Sequence, residues 1–185
     1  MSYNLQILIP KDDITLTKRE AFRQMAIDKG VARAIQMGIA PAEDQLDVRP
    51  FLPLLDAVAV IDRWLSNPLI APVGGDISIF NGAAVVVMPA TRLVVWYKVG
   101  IETTPVPVSE LVFRTNAIAG SIMRQFDLEQ IINADTMEGY FSNPIIWEPS
   151  RTYAAQVRVR IATGIGGAVQ LGGFVIEPKG NTIVI

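Results

Sequence analysis

The side chains of this protein that could do chemistry are carboxylates, glycine-rich turns and three tryptophans, because the sequence has no histidine and no cysteine. The usual general base at neutral pH and the commonest metal ligand are thereby missing, as are thiolate nucleophiles, thiolate metal sites and disulfides. A serine or cysteine triad of the usual kind cannot be assembled. Asp127 with Glu129 and Asp135 with Glu138 are the nearest carboxylate pairs, the residue type that acid-base hydrolysis needs in twos. They read more simply as surface residues at element ends. Asp12 with Asp13 and Asp44 with Asp47 offer oxygen ligands for calcium, in spacings that match no known loop. The glycines at 164, 166 and 167 and the pair Gly172-Gly173 lack the lysine and hydroxyl of a P-loop and the strand-to-helix setting of a dinucleotide fingerprint, so they read as hairpin glycines. Trp64, Trp96 and Trp147 could line a sugar platform, although a tryptophan in a sandwich more often fills the core. No catalytic, cofactor-binding or metal-ligating residue is assigned, and no cofactor or enzymatic activity is expected.

The elements that would carry these residues are mostly strands. In 153–163, Tyr153, Ala155, Val157, Val159 and Ile161 alternate with Ala154, Gln156, Arg158, Arg160 and Ala162, the period of a strand with one buried face. Pro144 and Pro149 bracket the short apolar piece before it, so the chain should turn a corner there from a sheet edge or a bent entry. Upstream, 76–80, 83–88 and 92–99 are strand candidates. Asn81-Gly82 between the first two signals a hairpin, and Val85-Val86-Val87-Met88 suggests a central strand covered on both faces. Further strands are expected at 108–114, 137–141, 168–176 and 182–185, while 117–134 suits a helix or a bent strand. The segment 66–72 echoes 142–149 through Ser-Asn-Pro, a turn device that could open two corners of one fold.

The N-terminal part reads differently. Residues 3–9 form a short alternating run stopped by Pro10. Thr17-Lys18-Arg19-Glu20 has capping-box spacing, and a helix from there should run to about Met37, with Gly38 in a left-handed cap. Ala21, Met25, Ala32, Ile35 and Ile39 fall on one side. Lys18, Arg19, Arg23, Lys29 and Arg33 gather on the other as a basic face able to approach anionic lipid, or simply to meet solvent. Pro41, Pro50 and Pro53 mark 40–53 as a linker, which divides the chain into an N-terminal arm, helix and linker (1–56) and a sandwich (57–185). The run 57–65 is apolar and ambiguous.

Half of the residues are hydrophobic and 18% are charged, an apolar excess that favours contact with another surface over free solution. A net charge of −2 gives no global field towards nucleic acid or membrane. The start Met1-Ser2-Tyr3-Asn4 does not resemble a secretory signal, and no apolar run is long enough to span a bilayer.

The aromatic followed by Asn-Pro-Ile-Ile-Trp-Glu-Pro, the polar turn Ser150-Arg151-Thr152 and the strand starting Tyr153-Ala154-Ala155-Gln156-Val157 resemble the late strands of virion jelly rolls. With the N-terminal helix and single-sandwich length, the chain is similar to the small single-jelly-roll major capsid proteins of icosahedral viruses with an internal membrane, of the sphaerolipovirus type. The resemblance implies an all-β fold, a single jelly-roll sandwich of about eight strands with an N-terminal helix and arm. It implies a place in the virion capsid, partners that are other copies of the chain and a second capsid protein, contact with an internal membrane, and no specific nucleic acid. A carbohydrate- or ligand-binding sandwich module is the alternative, and it would need an exposed aromatic platform such as Trp96 with Tyr97.

Overall fold

The computed structural model describes residues 7–52, 56, 75–80, 85–101, 108–116, 120–132, 136–160 and 169–180. Its elements are β1 (Leu8–Pro10), α1 (Leu16–Gln36), β2 (Leu46–Pro50), β3 (Asp76–Ser78), β4 (Val86–Val87), β5 (Leu93–Ile101), β6 (Val108–Thr115), β7 (Ile122–Asp127), a one-turn helix α2 (Glu129–Ile132), β8 (Glu138–Trp147), β9 (Thr152–Val159) and β10 (Val169–Pro178). The strands form two antiparallel sheets, an all-β sandwich with one long helix outside it. The first sheet has the order β1-β8-β5-β10-β2. The second has β3-β9-β6-β7, with β4 also on β9.

The pairs β2·β10, β3·β9, β5·β8 and β6·β7 are all hydrogen-bonded and lie nested, one inside the next along the chain. From the outermost pair inwards, the pairs belong alternately to the first and the second sheet. The main core fills the space between them, where Trp96, Trp147, Phe80, Phe113, Phe126, Phe141 and Tyr153 are buried together. Trp96 and Trp147 meet edge to face at 5.1 Å, a preferred geometry for aromatic pairs.

The alternation at β9 holds: Tyr153, Ala155, Val157 and Val159 all enter this core. The opposite face is less open than a half-buried strand suggests. Gln156 is 2% exposed and its Oε1 accepts from Arg114 Nε at 2.9 Å, while Arg158 bridges Asp76 and Glu110.

The corner expected at the piece between Pro144 and Pro149 falls later, between Trp147 and Thr152, where the chain passes from β8 in the first sheet to β9 in the second. Tyr153 fixes it. Its ring stacks on Trp147 at 5.1 Å and its hydroxyl accepts the Glu148 N–H at 2.8 Å, with Ser150 taking a positive φ of 58° at the bend. Asn143 and Pro144 lie inside β8 itself, where four residues of β8 oppose Tyr97 alone. A bulge of this kind tolerates a residue with no N–H to give to the ladder.

Several expectations give way. Residues 46–50 are not linker but strand β2, paired with β10 over five residues, so the N-terminal part supplies two strands of the first sheet. The turn expected at Asn81-Gly82 lies outside the described residues, and among the described ones β3 and β4 both pair with β9, end to end along one edge, because the long β9 offers each of them a ladder. Val86–Val87 is therefore a short edge piece, with Val87 68% exposed, and not a doubly covered strand. Gly172-Gly173 sits within β10 at a register shift against β5, not in a hairpin loop. The region 117–134 holds both candidate structures in turn, strand β7 and then helix α2. Residues 57–65, the Asn-Pro echo at 66–72, Trp64, Asn81, Gly82, Asp135, 164–167 and 182–185 lie outside the described residues.

Candidate functional site

The helix starts two residues earlier than the capping-box spacing at Thr17 indicates. Thr15 is the N-cap, its hydroxyl accepting from the Lys18 N–H at 3.3 Å. The C-terminal end is as expected: Gly38 has φ 73°, its N–H bonds Ile35 O, and the Ile39 N–H reaches Ala34 O, a Schellman closure.

The side of α1 that faces the first sheet is not the stripe with the largest apolar residues. Ala26, Gly30, Val31 and Ala34 are buried against Leu93, Val95 and Ile176, while Ala21 and Ala32 are exposed and Ile35 is 38% exposed. Small residues win here because they let the helix axis approach the sheet. A Cβ on Gly30 would overlap Ile176 Cδ1 and Val95 Cγ2.

The five basic residues border this seam. Arg33 binds Glu148 through Nε at 3.1 Å and through a second, shorter contact from its Nη2. Lys29 Nζ donates to Asn143 Oδ1 at 3.2 Å. Arg19 Nη2 donates to Lys11 O at 2.9 Å, and Arg23 pairs with Glu20 at 2.8 Å while its guanidinium lies over the Phe174 ring. Lys18 is exposed. Four of the five thus have partners within the fold, and Arg33 and Lys29 clamp the helix to the β8 bulge and to the corner.

The other candidate residues separate. Trp96 and Trp147 have 0% exposure, so the aromatic platform sought at Trp96 does not exist there, and Tyr97 stacks on Phe174 at 5.3 Å. Asp127 caps α2 by accepting the Glu129 N–H at 2.8 Å, and Glu129 pairs with Arg160, so this carboxylate pair is spent on local structure. Among the described residues no three carboxylates gather as for a metal ion, and no helix is long and apolar enough to cross a membrane.

Two polar constellations were missed by sequence reasoning because their members come from distant segments. The first lies at one end of the sandwich. Asp56 accepts from Arg49 Nη1 and Nη2 at 2.8 and 2.7 Å, from Arg92 Nη1 at 3.0 Å and from the Leu52 N–H at 2.8 Å. Glu177 takes Arg49 Nε at 2.8 Å. The hydrogen bond to Asp56, working against burial, and then Glu177 hold the Arg49 guanidinium more firmly protonated than usual. Two cations and two anions balance, and the carboxylates are nearly buried, with side-chain exposures of 1% and 4%.

The second is a cleft of about 260 Å³ on the outer face of the first sheet, lined in part by Lys98, Gly100, Thr136, Glu138, Gln170 and Gly172. Register sets these residues in rows: Tyr140, Lys98 and Gly172 lie across β8, β5 and β10, and Glu138, Gly100 and Gln170 across the next row. Lys98 Nζ is 3.2 Å from Glu138 Oε1, Lys11 Nζ is 3.4 Å from Oε2, and the Tyr140 hydroxyl donates to Oε1 at 3.0 Å. Burial alone would raise the Glu138 pKa. The charge and hydrogen bond of Lys98, with Tyr140 and Lys11, outweigh it and hold the carboxyl below its ordinary value. Burial and the Glu138 contact push the Tyr140 hydroxyl up.

The fold defines a class, the all-β sandwiches with a helix packed on one face. Beyond that class, the chain finds no match among family models, curated proteins or solved structures.

Proposed function

We propose that the protein is a virion structural protein, a small jelly-roll capsid subunit that assembles with other copies of itself and a second capsid protein into an icosahedral shell around a membrane vesicle. The observation that carries this reading is the nested pairing of β2 with β10, β3 with β9, β5 with β8 and β6 with β7. Four nested pairs shared between two facing sheets support a jelly-roll reading, an arrangement that capsid and lectin domains share. The aromatic residues favour the first use. A sugar-binding face needs rings open to solvent, and Trp96 and Trp147 are committed to the core.

The exposed large apolar residues suit contact with neighbours. Val87 and Ile122 sit on opposite edge strands of the second sheet, Ile7 precedes β1 and Leu16 opens α1 at 77% exposure.

A fold alone does not determine use, so the test is assembly itself. Negative-stain microscopy of the concentrated protein and of particles from its source should show an ordered lattice. Each copy should bury well over the roughly 800 Å² per partner of a standard interface when all neighbours are summed. Monodisperse monomers that bind sugars would overturn the capsid reading in favour of a ligand-binding module.

A further inference from the structure

We draw no further inference here: the strongest candidate, the basic surface patch where Lys29 and Arg33 of α1 and Arg151 of the β8–β9 corner gather about Asn143 and Glu148, carries nothing, because its side chains are committed to the fold and nothing in the structure shows what covers it.

Discussion

Asp56 holds four hydrogen bonds while its side chain is 1% exposed, so Asp56→Asn isolates what the charge at that position does. Asparagine keeps the shape but offers one acceptor oxygen in place of two. It turns an amide NH2 towards a guanidinium that has only donors to give. Arg49 and Arg92 then share a single carboxylate, Glu177, and one positive charge stays largely buried without a partner. Breaking a buried ion pair in this way costs about 3–5 kcal/mol. Against a total stability of roughly 5–15 kcal/mol for a domain, that is a third or more of the whole. Urea denaturation at neutral pH should show the midpoint lowered by that free energy divided by the slope, with the slope itself unchanged. In a double-mutant cycle with Arg49→Gln, the second substitution should cost far less in the Asp56→Asn background than in wild type. A loss under about 1 kcal/mol for Asp56→Asn, or additive costs in the cycle, would refute the idea that the four groups act as one buried unit.

Tyr153→Phe keeps the stack on Trp147 but leaves the Glu148 N–H without its partner, so it should cost about 1–2 kcal/mol, while Tyr153→Ala should cost about 3–5 kcal/mol; calorimetry of the two variants separates the hydrogen bond from the packing. Gly30→Ala should destabilise by about 1–3 kcal/mol in denaturant melts although alanine is the better helix former by about 1 kcal/mol, because the new methyl meets Ile176 and Val95; a gain in stability would show that the helix does not press on the sheet. The depressed Glu138 pKa contributes stability that is fully present above the ordinary carboxyl value of 4.5 and is lost as pH falls through the depressed value. Glu138→Gln should therefore flatten the stability profile in that acid window and leave its shape near neutrality unchanged, as measured by denaturation across a pH series.

How far the sequence speaks for the fold differs from element to element. β9 was legible because its two faces differ in kind, and Tyr153, Val157 and Val159 needed no partner to reveal their period. The corner was legible through Pro149 and the polar turn after it, whereas Pro144 lies inside β8. The register of α1 was not. Helical spacing put Ala21, Met25, Ala32, Ile35 and Ile39 on the apolar side, of which Ile39 packs against the sheet, but docking rewarded small residues at Ala26, Gly30 and Ala34, and only the tertiary contact shows it. β2 is five residues with two charges and a proline, and it is a strand only because β10 lies beside it. The cleft and the Asp56 cluster were illegible for the same reason: Lys98 meets Glu138 and Arg49 meets Glu177 across 40 and 128 residues of chain.

The nested pairing also sets an order of events during synthesis. β10 lies between β5 and β2, so neither of those strands can join the first sheet by that route until β10 has left the ribosome. Before then β5 can pair with β8, and β6 with β7 and β9, but β2 has to wait for a partner more than a hundred residues downstream, and β5 keeps one bare edge. Closing such distant pairs makes for slow folding, in the range of milliseconds to seconds for proteins of this topology. The same delay keeps the helix without its complete floor, since Ile176 of β10 is part of the surface that Gly30 rests on. A partly made chain therefore presents neither the finished sheet nor the docked helix, and both come into being only once β10 has paired with β2 and β5.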